Sequence, residues 1–143
     1  MTSAITVKPV SSQSSVASTG VWAGRVLSAV PALFLLFDAT IHITKPVPVV
    51  EGFARLGYPL SVAVPLAAVE LVTIALYILP RTSILGAILL TGYLGGAVAT
   101  HVRVSDPVFD IIFPVIFGAV AWAGLYLRNP RLRELIPVER KTR

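Results

Sequence analysis

From Ile84 to Thr100 the chain carries no charged residue, and no proline interrupts it as far as Arg103. A helix of about 20 residues, rising roughly 1.5 Å per residue, matches the roughly 30 Å hydrocarbon core of a bilayer. Three further apolar runs, each containing proline and one or two charged residues, flank it, so spans are expected at about 21–44, 59–79, 83–102 and 107–127. The composition agrees, with 55% apolar and 13% charged residues and a mean hydropathy of +0.82, far from that of a soluble globular chain. Pro80, Arg81, Thr82 and Ser83 make one short connection and Val102 to Asp106 another. Short connections make successive helices antiparallel neighbours. The expected fold is therefore all-α, an integral membrane four-helix bundle with four transmembrane helices running up-down-up-down.

Residues 20–128 would form the membrane domain. Residues 1–19, rich in Ser, Thr and Val without a sustained period, read as a disordered N-terminal tail. The polar SSQSS stretch within them argues against a cleaved signal. Residues 129–143 read as a basic C-terminal tail. The net charge of +5 does not point to nucleic acid, because the basic residues stand beside apolar runs rather than in an aromatic-interleaved patch. The bilayer is the expected partner. Lys8, Arg25, Arg81, Arg128 and the tail lie on one side, and only Lys45, Arg55 and Arg103 on the other. By the positive-inside rule both termini are expected in the cytoplasm, with the protein a multi-pass component of the cell membrane. The absence of cysteine excludes thiol nucleophiles, disulfide exchange and cysteine-ligated clusters.

Within the third span Thr91, Gly92, Gly95, Gly96 and Ala99 share one arc, and Gly92 and Gly96 form a small-xxx-small pair. In lipid such pairs let helices approach closely, so Gly92, Gly95 and Gly96 are the expected packing glycines. His101 lies about 180° from Gly92 around the helix, so packing and polar faces are expected to be separate.

Ionisable groups gather toward one end. Asp38, His42 and Lys45 follow at spacings of four and three, on one helical stripe. Glu70, Thr73 and Tyr77 form a second stripe, with Glu70 near the middle of its span. His101 and Arg103 close the third span, and Asp110 begins the fourth. With alternating spans, Asp38, His42, His101, Arg103 and Asp110 fall in the outer half and Glu70 lies deeper. An unpaired charge at membrane depth costs at least about 2.5–3.5 kcal/mol, so such residues face the interior and mark ligand-binding or proton-handling sites. Asp38, His42, Glu70, Tyr77, His101, Arg103 and Asp110 are the candidates. Haem on His42 and His101, or zinc on these with Asp38 or Glu70, has no recurrent ligand spacing behind it, and no metal is expected. No Ser/His/Asp arrangement, phosphate loop or dinucleotide fingerprint is present.

Several stretches together give the chain a family likeness: FDATIH from Phe37 to His42, RLGYP from Arg55 to Pro59, Glu70 with YILPR from Tyr77 to Arg81, the run from Gly86 to Arg103, the pair Phe113 and Pro114, and GLYLRNPRLRELIP from Gly124 to Pro137. From Val21 to Pro137 the chain resembles the DoxX-like family of small four-span membrane proteins. The resemblance implies a four-helix bundle and, from the family's namesake, a link to quinone-dependent sulfur or redox metabolism through a membrane or redox partner protein. The expected function is an accessory or small-molecule-binding membrane protein, with no catalytic activity of its own, whose polar pocket lies in the outer half. A helper of a quinone-linked oxidoreductase and a proton-coupled carrier are the alternatives, and quinone is the cofactor the resemblance brings into view.

Overall fold

The structure, a computed structural model, describes residues 13–136, with side chains from residue 19. Six helices follow in order: α1 (Gln13–Thr44), α2 (Val47–Arg55), α3 (Ala63–Ile78) after a 3-10 turn at Leu60–Val62, α4 (Ser83–Arg103), α5 (Val108–Arg128) and α6 (Pro130–Leu135). No strand occurs among the described residues. Most of the expected N-terminal tail and the end of the C-terminal tail lie outside the description. Where they overlap, α1 begins at Gln13, ahead of the expected span, because nothing between Gln13 and Thr19 breaks a helix.

Thr19–Thr44, Leu60–Ile78, Ser83–Arg103 and Val108–Arg128 are each long and apolar enough to cross a membrane. Helix α1 packs on α3 and α5, and α4 packs on the same two, so the spans form a ring with α1 and α4 diagonal. The core runs down this ring through Leu35, Ile74, Leu90, Leu94, Ala121 and Leu125. Large apolar side chains such as Leu33, Phe37, Val72 and Ile116 point outward. In water that surface would be a liability; in a bilayer it faces lipid tails.

Close helix approach occurs at glycines other than those the small-residue arc suggests. A Cβ at Gly86 would lie 2.2 Å from the backbone nitrogen of Tyr77 on α3, and one at Gly24 would lie 2.6 Å from the nitrogen of Arg128. At Gly124 it would lie 2.7 Å from Ser28. By contrast, a Cβ at Gly92, Gly95 or Gly96 would meet nothing within 4 Å. The expected packing role of these three is therefore corrected. Helix α4 buries Ser83, Gly86, Ala87, Leu90 and Leu94, the opposite face, because its aliphatic side chains interdigitate with the cluster around Ile74 and Leu125.

Lys45 leaves its expected stripe, and Tyr77 keeps its own but lies too far along α3 to join Glu70. Lys45 precedes Pro46, where right-handed helical geometry is disfavoured; it takes a left-handed backbone at φ 52° and quits the line of Asp38 and His42. Tyr77 is fully buried away from Glu70, its hydroxyl hydrogen-bonded to Ser28 Oγ at 3.0 Å and donating to the Ala121 carbonyl at 2.7 Å. The Arg128 guanidinium sits over its ring and donates to its carbonyl at 2.6 Å. Tyr77 thus joins α1, α3 and α5 near the end of the bundle that carries the termini.

Candidate ligand-binding site

At the other end, α1, α2, α3 and α4 enclose a cavity of about 520 Å³. Asp38 and His42 reach it from α1, Phe53 from α2 and Leu56 from just beyond its end, Leu66 from α3, and Tyr93, Ala97 and His101 from α4. Pro46 at the N-terminal cap of α2 turns the chain back across the bundle end after α1 stops. That reversal makes α2 a wall of the cavity.

The polar floor is built from three helices. Glu70 on α3 is 1% exposed. Tyr93 on α4 donates its hydroxyl to Glu70 Oε1. His42 Nδ1 lies 3.4 Å from Glu70 Oε2 and 3.7 Å from Asp38 Oδ2. Both separations are longer than the roughly 2.7–3.2 Å of an ordinary N–H···O hydrogen bond. Phe53 sets its ring edge-on to His42, with centroids 5.5 Å apart. Glu70 stands behind Asp38 and His42 instead of lining the cavity itself. One ligand atom from each of Asp38, His42 and Glu70 lies within 4.8 Å of the others, a set able to hold a metal ion.

A second polar cluster ties the rim. Asp106, just beyond α4, accepts from Arg55 Nη1 on α2 and pairs with His101 Nδ1 at 2.6 Å. Arg103 donates to the Leu56 carbonyl and lies over the Tyr58 ring, 5.5 Å from its centroid. The Tyr58 hydroxyl is 3.1 Å from Thr100 Oγ1. These contacts strap the α2 connection to the end of α4.

Of the candidate residues, Asp38, His42 and Glu70 meet at the floor, His101 lines the wall and Arg103 holds the rim. Tyr77 and Asp110 are outside the cavity. Gly92 and Gly96 line it on the lipid-facing side of α4, so this arc and His101, expected on separate faces, share one wall. Gly95 opens instead on an apolar groove beside Gly118 and Trp122.

Tyr93 and Asp106 were not singled out by sequence. A signal for Tyr93 existed: it and Glu70 stand equally far from the Arg81–Thr82 turn, and so at equal depth on antiparallel helices. Asp106 carried a weaker one. The backbone reverses through Ser105 at φ 56°, returning the Asp106 nitrogen to the His101 carbonyl at 3.1 Å, a geometry the sequence does not announce.

A ring of four membrane-length helices with a polar-floored cavity at one end defines a small multi-pass membrane protein. The chain belongs to the DoxX-like family, whose profile matches residues 26–124. The match covers α3 and α4 whole, α1 and α5 in part, and every residue of the polar floor. No curated protein and no solved structure matches the chain.

Proposed function

We propose that the protein binds a lipid-soluble small molecule with a hydrogen-bonding head group, acting as an accessory of a membrane process without catalysis of its own. One observation carries this reading. The cavity has mainly apolar walls and a polar floor, and along α4 its side is formed by Gly92 and Gly96, which lack side chains and face the lipid. A molecule dissolved in the bilayer can slide in laterally, lay its tail between helices and present its head to Asp38, His42 and Tyr93. Apolar pockets with a few convergent polar groups are the usual form of small-molecule sites. Quinones have this amphiphilic build, which agrees with the redox link the family resemblance implies, and a quinone-dependent protein is the kind of partner such a ligand would serve.

Gly96→Leu provides the test. Its Cβ meets nothing within 4 Å, so the bundle should melt as the wild type does while the new side chain fills the opening. Retention of a short-chain ubiquinone analogue by protein in lipid nanodiscs, read by organic extraction and absorbance, should fall about tenfold or more, the loss of roughly 1.4 kcal/mol of binding. Unchanged retention would overturn lateral binding in this cavity.

We also place both termini in the cytoplasm, on the strength of the basic residues gathered at that end. Reporter fusions after Arg143 and within the Val47–Arg55 helix should report opposite sides. A tail reported outside would move the cavity to the cytoplasmic leaflet.

A further inference from the structure

Two carboxylates and one imidazole meet at the cavity floor, and among the described residues neither Asp38 nor Glu70 pairs with a lysine or arginine. A single His42 nitrogen, Nδ1, faces both. Its hydrogen bond to Glu70 is long, at 3.4 Å, and at 3.7 Å it makes none to Asp38. Those separations are close to another standard. Around a tetrahedral ion with bonds of about 2.0–2.1 Å to nitrogen and oxygen, neighbouring ligand atoms stand about 3.3–3.4 Å apart. The three ligand atoms lie within 4.8 Å of one another, a spread from which small side-chain movements bring them onto one ion.

We propose that Asp38, His42 and Glu70 hold a divalent transition-metal ion at the base of the cavity. One nitrogen and two carboxylate oxygens suit zinc or manganese. The ion's charge would balance the two carboxylates, which no arginine or lysine does. Tyr93, donating to Glu70 Oε1, leaves Oε2 turned to the ion; it is a positioning residue of the kind that fixes a carboxylate ligand. Three protein ligands leave a coordination position toward the cavity, where Asp38 and His42 are exposed to it. A head-group oxygen would enter there. The proposal shares its floor with the ligand-binding reading but not its ligand, since the ion binds whether or not an organic molecule follows.

The full chain, freed of any purification tag, is stripped with EDTA, given Zn²⁺ or Mn²⁺ alone, desalted and analysed by mass spectrometry of the metal. About one ion per chain should remain, the stoichiometry of a single three-ligand site, and bound Mn²⁺ should show a broadened electron paramagnetic resonance spectrum. Asp38→Asn and Glu70→Gln should each abolish retention, and Tyr93→Phe should weaken it about 10–100-fold, as loss of such outer partners does. Asp110→Asn, outside the cavity, should retain the ion. Asp38 is only part-buried, so its variant tests the site even if Glu70→Gln does not fold. Failure of the wild type to retain either ion, or equal retention by Asp38→Asn, overturns the metal site and leaves a shared proton as what balances the carboxylates. Gly96→Leu should lose the quinone analogue and keep the ion; in the wild type, a metal bound without quinone refutes the ligand reading alone, and quinone without metal refutes this inference alone.

Discussion

Gly86→Ala, the addition of one methyl group, should prevent the bundle from closing. The new Cβ would lie 2.2 Å from Tyr77 N and 2.4 Å from Tyr77 Cα. Overpacking costs about 1–3 kcal/mol when side chains can move aside, but here the obstacle is the backbone of α3, so the expected cost is roughly 3 kcal/mol or more. The motion needed to relieve it would displace Tyr77, which joins α1 and α5 through Ser28 and Ala121. Thermal unfolding in detergent should show a large fall in melting temperature or no folded protein. Gly92→Ala should behave oppositely, gaining up to about 1 kcal/mol of helix propensity with no contact to disturb. Equal melting of the two variants would mean that α3 and α4 are not in contact at Gly86.

That contrast measures how far the fold can be read from the chain. Span number and order follow from the length of the apolar runs, because hydrocarbon thickness fixes element length independently of packing. Which face of each helix turns inward does not. In α4 both the small-residue arc and the aliphatic face are uncharged, so lipid would accept either, and only the shapes of the neighbouring helices decide. Glycine spacing suggested Gly92 and Gly96, whereas the contacts fall at Gly24, Gly86 and Gly124. The polar floor was more legible. A carboxylate at mid-span has no acceptable place in lipid, so Glu70 had to turn inward, toward the stripe of Asp38 and His42. Tyr77 shared the Glu70 stripe yet serves elsewhere, since two turns along a helix move a side chain roughly 10 Å in depth. Asp106 escaped notice because its role depends on how a loop doubles back.

Glu70→Leu should be the second strongly damaging change. Leucine would leave the Tyr93 hydroxyl and His42 Nδ1 facing hydrocarbon without their present partner. Breaking one member out of a buried polar group costs about 3 kcal/mol or more, whereas an ordinary hydrogen bond contributes only about 1 kcal/mol net. Glu70→Gln keeps an acceptor for Tyr93 and should melt close to the wild type. The pair separates shape and hydrogen bonding from charge. Were the leucine variant as stable as the glutamine one, Tyr93 and His42 would have to find other partners, and the three-helix junction at Glu70 would not be what orients them.

The tight glycine contacts all stand at one end of the bundle. Gly24 on Arg128, Gly124 on Ser28 and Gly86 on Tyr77 leave no slack between α1 and α5 or between α3 and α4 near the termini. Toward the cavity no glycine of α4 touches a neighbour, and the helices are spaced by side chains and by the strap through Asp106. Resistance to local opening is set by how densely an element is held, so it is graded along the bundle's length. The helices behave like the arms of tongs riveted near the termini. A small rotation at the rivet swings the far tips widest, and the tips carry the floor and mouth of the cavity. Releasing Arg55 and His101 from Asp106 would let the arms part there without loosening the joint that keeps the four helices together.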